Sequence, residues 1–424
     1  GIAVKKLIAL VCVALSLTAC SGIGNRNNIT SLLVAPKLSQ TENDIVKAID
    51  TYLGDNVVLK YSTAMGYSAP VQVLDVDDDG DKEAIVMYYA PNKGTNIRLA
   101  LLENVGDKWS ILLDKEGLGS EVFYFKIAKM SKDKTRQVLI GYSTPSIADK
   151  FLGVYFLGEG AATEDYKERC DIITVGDLTA DGLDDIVMTT KTQDKRMRLQ
   201  ILSLGEDNVL VQTGSHYLKT PEVEITQLKV VEYRGKENAL YIDYKDKYKK
   251  MYTEAGVFKG STMERILPTA NIPRLWEYSF NLNSTDIDRD GKLEIPTVIH
   301  DEAQDELPTV KFVEWTDYST DEPKRKYFGV CDTQTGLFMA VPDEWQTLVG
   351  ASSYENGKGW YVTRLEDGAA LVKVKPVQLG DMPDVNENEP LTVRIGTRRW
   401  QVEFNEDVSQ IQREYVINSM VTVD

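Results

Sequence analysis

Three acidic nonapeptides constrain the fold of this chain more than anything else in it: Asp75–Glu83, Asp177–Asp185 and Asp286–Glu294. Each begins with Asp, places Asp, Thr or Asp at its third position, and continues Asp-Gly at the fifth and sixth; each ends in Glu or Asp. Short apolar runs flank them. Val71–Leu74 and Ala84–Tyr89 flank the first, Ile172–Val175 and Ile186–Met188 the second, and Tyr278–Leu282 precedes the third. Runs of this length, rich in branched and aromatic residues and bounded by turn formers, read as strands, so each nonapeptide is the turn of a β-hairpin. Carboxylates crowded into one turn repel each other, and Lys82 is the only local base in the first. A hard cation taking oxygen ligands resolves the repulsion, and the Gly supplies the sharp bend such a loop needs. The loop is not an EF-hand, which needs flanking helices and a Glu at its twelfth position.

The three turns begin roughly a hundred residues apart, and a worn copy lies midway in each interval. Phe125–Met130 leads through the turn Ser131–Arg136 into Gln137–Ile140, and Ile225–Val231 leads through Tyr233–Asn238 into Ala239–Ile242. The underlying period is therefore roughly 50 residues, in the range of propeller blades. The expected fold is mainly β: a β-propeller of about five four-stranded blades with hairpin loops suited to Ca²⁺, followed by a small C-terminal α+β domain.

A strand–Asp-x-Asp-x-Asp-Gly-x-x-Glu/Asp–strand unit occurring once per blade resembles the FG-GAP/VCBS-type calcium-binding propeller repeats found in integrin α-subunits and many bacterial surface proteins. The resemblance covers about residues 60–330. It implies Ca²⁺ ligands at loop positions one, three, five and nine, with a carbonyl at position seven. Those positions are Asp75, Asp77, Asp79 and Glu83; Asp177, Thr179, Asp181 and Asp185; and Asp286, Asp288, Asp290 and Glu294. Thr179 departs from the pattern with a neutral hydroxyl, so the second site is expected to be the weakest. The worn turns carry Lys132, Lys134, Arg136, Arg234 and Lys236, where a basic side chain is expected in place of the ion. The metal's expected role is structural, since an ion held only by the folded state stabilises that state.

The first residues read as a lipoprotein signal over 1–19. Lys5-Lys6 is its charged region, Leu7–Leu17 its apolar core, and Leu17-Thr18-Ala19-Cys20 resembles a bacterial lipobox. The apolar run is too short to span a bilayer. Cys20 is then the lipidation site, residues 20–38 form a tether, and the protein is extracytoplasmic and anchored to the bacterial membrane surface. Of four Cys, Cys170 and Cys331 remain for the body and are expected as separate small apolar residues. A helix is expected from Thr41, which would cap it, with Ile45, Ala48, Ile49 and Tyr52 on one face and Gly54 as its stop. Residues 39–332 are assigned to the propeller with this N-terminal helix.

After Cys331 the blade rhythm breaks. Strands are expected at Trp360–Leu365, Ala370–Val374, Leu391–Ile395 and Trp400–Phe404, an acidic loop at Gly380–Pro390, and a helix over Val408–Asn418, which together assign 333–424 to the small α+β domain. The net charge of −17 disfavours nucleic acid as a partner. Catalytic chemistry is poorly supplied. His216 and His300 lie in different predicted blades, and neither Ser68 nor Ser143 sits in a Gly-x-Ser-x-Gly elbow. The expected function is binding, of a protein or of a cell-wall or other polysaccharide. The alternatives are a glycan-active enzyme using carboxylates at the propeller mouth and an envelope assembly scaffold.

Overall fold

The computed structural model describes residues 37–62, 67, 69–145, 149–158, 161–274, 276, 278, 280–299, 309–354, 358–378 and 391–423. Cys20, the expected signal 1–19, most of the tether, Ser68, His300 and the 380–390 loop lie outside them. The chain divides into two compact units, 1–54 and 55–424. The helix α1 (Gln40–Leu53), expected with the propeller, thus falls in the first unit. Its N-cap is Ser39, not Thr41. The Ser39 hydroxyl accepts from Glu42 N–H while the Glu42 carboxylate accepts from Ser39 N–H, a reciprocal box that outcompetes a single Thr hydroxyl. Gly54 closes the helix in the left-handed region, as expected. Ile45 and Ile49 are buried, whereas Tyr52 is exposed.

The second unit is built of antiparallel sheets that follow one another along the chain. Sheet one holds β1 (Val58–Leu59), β2 (Val71–Leu74), β3 (Glu83–Tyr89), β4 (Arg98–Val105) and β5 (Lys108–Glu116). Sheet two holds β6 (Glu121–Ala128), β7 (Arg136–Ser143), β8 (Lys150–Gly158) and β9 (Ala161–Arg169). Sheet three holds β10 (Ile173–Gly176), β11 (Asp185–Lys191), β12 (Met197–Leu204) and β13 (Leu210–Tyr217). Sheet four holds β14 (Glu224–Arg234), β15 (Glu237–Lys245), β16 (Met251–Lys259), β17 (Thr262–Arg265) and β18 (Ile272–Arg274). Sheet five begins with β19 (Glu294–Val298), β20 (Val310–Asp317), β21 (Lys324–Asp332) and β22 (Leu337–Ala340). Sheet six holds β23 (Val349–Ser353), β24 (Trp360–Arg364), β25 (Ala370–Pro376), β26 (Leu391–Ile395) and β27 (Arg398–Phe404). Then come α2 (Gln410–Ser419) and β28 (Val421–Thr422), which returns to the edge of β22 in sheet five.

Burial explains the stacking. In sheet three, β11 is buried along most of its length, β12 is mixed, and β13 is largely exposed. A strand buried on both faces reads as a continuous apolar run, and this is why Ala84–Tyr88 and Val138–Tyr142 show no alternation. Consecutive sheets share cores. Ile85, Met87 and Leu99 of sheet one pack with Phe125, Val138 and Ile140 of sheet two. Leu139 and Val154 pack with Ile173 and Ile186, and Val187 and Leu199 with Leu228 and Leu240. Tyr241 and Val257 of sheet four share a core with Leu293 and Ile295 at the start of sheet five.

Two expectations are corrected. Among the described residues of 278–282 no ladder forms; the pairing in this arm is an isolated bridge from Thr285 to Glu294. The Trp276 indole N–H bonds the Phe280 carbonyl and its ring packs edge-on against Tyr278 and Phe280, so aromatic packing takes the place of strand pairing. Nor does residue 333 mark a structural break. β22 and β28 complete sheet five, and one core joins Phe312, Phe328 and Met339 of sheet five to Trp360, Val372 and Trp400 of sheet six. Cys170 and Cys331 are buried and form no disulfide.

Candidate metal centres in the hairpin loops

The three acidic loops share one backbone. Position four is left-handed in each, with φ of 59° at Asp78, 57° at Ala180 and 63° at Arg289. Position six is a Gly with φ of 93°, 85° and 88°, a region closed to side-chain-bearing residues without strain. Position one staples the turn: Asp75, Asp177 and Asp286 each accept the N–H of positions five and six. Position five (Asp79, Asp181, Asp290) accepts the N–H two residues on. Position nine reaches back to the amide of position two, whose side chain is buried: Glu83 to Val76, Asp185 to Leu178 and Glu294 to Ile287, at 2.8–2.9 Å. The worn turn of sheet two keeps this last staple with a neutral residue, Met130 N–H donating to the Gln137 amide oxygen at 2.8 Å. Gln137 carries no charge, so no acidic pattern marks it in the sequence.

The loops differ in what they gather. In the first, Asp75, Asp77 and Glu83 bring carboxylate oxygens within 4.8 Å of one another. The third forms two such groups, Asp286–Asp288–Asp290 and Asp290–Glu294–Asp317. Asp317 lies outside the motif; it is paired across the ladder with Glu294, a register no spacing rule reveals. The second loop forms no such group among the described residues. There, Asp185 accepts from the Thr179 N–H and hydroxyl and from the Ser203 hydroxyl, so neutral donors already serve it.

Burial pushes the Glu83 carboxyl up to about 7, and the neighbouring Asp77, Asp79 and Asp75 add to the shift. Burial likewise pushes Glu294 up to about 8, with Asp288, Asp290 and Asp317 contributing. Asp185 is also raised by burial, opposed by its bond from Ser203. Burial opposes ionisation of Asp290 too, but the Lys326 ammonium and the Lys292 N–H outweigh it and hold the carboxyl below its usual value. Lys326 Nζ lies 2.8 Å from Asp288 Oδ2 and 2.9 Å from Asp290 Oδ2.

The donor set is wholly oxygen, which suits Ca²⁺ or Mg²⁺ and not zinc. The third loop fits such an ion on a further ground. Asp288 Oδ1 and Glu294 Oε1 are buried with no hydrogen-bond donor, an arrangement costly to an anion unless a cation completes it. Of the basic residues of the worn turns, Arg136 donates to the Lys134 carbonyl of its own turn at 3.3 Å, and both arginines also reach across to a neighbouring sheet. Arg136 reaches Asp78 in the loop of sheet one at 2.8 Å, and Arg234 donates to the Ser319 and Thr320 carbonyls of sheet five; Lys132, Lys134 and Lys236 are exposed. Basic side chains here tie adjacent sheets together. A cleft of about 470 Å³ opens between the worn turn of sheet two and the second acidic loop, lined in part by Lys132, Asp133, Asp181 and Glu206. His216 bonds the buried carboxylate of Glu254 at 3.1 Å, joining sheets three and four.

No family model matches this sequence, and no curated protein is similar to it. Among solved structures, the chain is similar to a levansucrase mutant of B. megaterium at 9% identity, covering 68% of this chain and 92% of that one, with a TM-score of 0.27. It is similar to the AfRom2 CNH domain at 9% identity, covering 82% and 98%, with a TM-score of 0.27. It is similar to the WD40 domain of SCAP from fission yeast at 10% identity, covering 84% and 80%, with a TM-score of 0.29.

Proposed function

We propose that this protein is an extracytoplasmic binding protein, tethered to the bacterial membrane through lipidated Cys20, with a β-propeller body whose acidic hairpin loops hold Ca²⁺ as structural staples. The serial order of the sheets and the shared cores between consecutive ones support the propeller reading. The observation that carries the metal assignment is the third loop, where carboxylates converge and Asp288 Oδ1 and Glu294 Oε1 lie buried without a donor. When bound, the ion supplies the positive charge these oxygens lack. Asp75, Asp77, Asp79 and Glu83 would hold one ion, and Asp286, Asp288, Asp290 and Glu294 another; Asp177, Thr179, Asp181 and Asp185 would form the weakest site. The bound partner is a protein or a cell-wall or other polysaccharide. The glycan-active alternative needs two carboxyls facing each other across one cavity, whereas Glu83 and Glu294, the two most shifted, turn back onto amides of their own loops.

Thermal unfolding of the full chain in excess EDTA, then with Ca²⁺ or Mg²⁺ added, tests this reading. A Ca²⁺-specific rise in Tm is expected, reduced in Asp75→Ala and in Asp286→Ala and least affected by Asp177→Ala; an unchanged Tm would sink the metal assignment. Membrane fractionation tests the tether: Cys20→Ala is expected to move the protein from the membrane fraction to the soluble one.

A further inference from the structure

The acidic loops are completed from outside their own sequences. In sheets one, three and five the strands β5, β13 and β21 each carry one extra residue opposite the strand before them (β4, β12 and β20), and this β-bulge falls on Leu112, Thr213 and Lys326. A bulge breaks the local ladder and re-aims the side chain it carries. In sheet three the bulged Thr213 hydroxyl meets Ser203, whose hydroxyl lies 2.6 Å from Asp185 Oδ1, so a chain of neutral hydroxyls ends on the loop. In sheet five the equivalent residue is Lys326, whose ammonium spans Asp288 and Asp290. The residue across the ladder from loop position nine differs too: Glu103 of β4 faces Glu83 in sheet one, and Asp317 of β20 faces Glu294 in sheet five.

Resting on the calcium reading above, we infer that the third loop is an exchange site, in which a divalent cation completed by Asp317 displaces the Lys326 ammonium from Asp288 and Asp290. The charges argue for this. Lys326 satisfies one oxygen of Asp288 and one of Asp290 but leaves Asp288 Oδ1 and Glu294 Oε1 without a donor, and Glu294 is wholly buried. A single tethered charge thus meets the outer pair of carboxylates and not the inner pair, Glu294 and Asp317, which are 0% and 2% exposed. A doubly charged ion with six to eight oxygen ligands serves both pairs. Lys326 remains attached, so it competes with the ion at a fixed local concentration, a penalty the first loop escapes because its bulged residue is Leu112.

Calcium is titrated calorimetrically into the full chain after EDTA stripping, and the third-loop event is identified as the one lost in Asp286→Asn. Lys326→Met is expected to tighten that event about tenfold or more, and Asp317→Asn to weaken it about tenfold or more, with the first-loop event unchanged in both. An unchanged third-loop affinity in Lys326→Met overturns the exchange, and an unchanged affinity in Asp317→Asn overturns the role of Asp317. Calcium bound at the first loop alone, in wild type and in Lys326→Met, overturns the inference while leaving the calcium reading standing; no calcium bound by any form overturns both. If either variant fails to fold, a crystal structure of the wild type grown with Ca²⁺ decides. An Asp317 oxygen about 2.3–2.6 Å from the ion, with Lys326 withdrawn, supports the inference, and Lys326 still bridging Asp288 and Asp290 overturns it.

Discussion

Glu83 and Glu294 hold protons that an unfolded chain would have released, and this gives the ion-free protein a definite pH dependence. Burial raises them to about 7 and about 8 from 4.5. Between pH 4.5 and 8 the folded state therefore binds more protons than the unfolded state, and stability falls as pH rises through that window. The contribution is fully present below about 4.5 and lost above about 8. Urea midpoints in EDTA are expected to drop from about pH 5 to about pH 8, with a shallower drop in Glu294→Gln; added Ca²⁺, which favours the ionised carboxylates, should flatten the slope. A midpoint that rises over this range would contradict the burial argument. At this scale the sequence was informative about loop identity. The alternating Asp and the repeated position-six Gly named the turns, because turn chemistry is local. It was silent about Asp317, Lys326 and Ser203, which meet the loops through ladder register and bulges that only the assembled sheet defines.

Hairpins and sheets hold together through a few buried polar bonds that the apolar pattern does not announce. The Gln137 amide serves the Met130 N–H in the worn turn of sheet two. Gln137→Leu leaves that buried N–H without an acceptor, and a loss of about 1–3 kcal/mol is expected by urea unfolding. Sheet four holds a fully buried ion pair, Arg274 of β18 with Asp243 of β15 at 2.8 Å. Asp243 also accepts from the Ser284 N–H and the Gln227 amide, so β14, β15, β18 and the segment before the third loop converge on one carboxylate. Arg274→Met strands that charge, and about 3–5 kcal/mol of destabilisation is expected from the same measurement. This network also bears on the strand expected at Tyr278–Leu282, which the described residues of that run do not form. An apolar run reads as a strand from composition alone, yet Ser284 is drawn to Asp243 and Trp276 to Phe280, and those non-local and aromatic contacts win over ladder pairing.

The order of strands at the C-terminus decides how the second unit unfolds. The chain leaves sheet five after β22, builds sheet six and α2, and comes back with β28 beside β22, Leu337 facing Thr422 and Phe338 facing Val421. Val423 is buried and its N–H bonds the Gly336 carbonyl. Sequence rhythm changed at 333 because the strands of sheet six are spaced differently and a helix follows, and that change is real. It does not separate the region, since the core of Phe312, Phe328, Trp360 and Trp400 spans both sheets. The return strand and the shared core couple sheet six to sheet five, so the two should unfold together. Removing residues 421–424 is therefore expected to lower the unfolding midpoint of sheet five along with that of sheet six. Hydrogen exchange provides the measurement: amides of β20 and β21 in sheet five should lose protection in step with those of β24 and β25 in sheet six. If only sheet six lost protection, 333–424 would be an independent folding unit, and the shared core would contribute little to its coupling with sheet five.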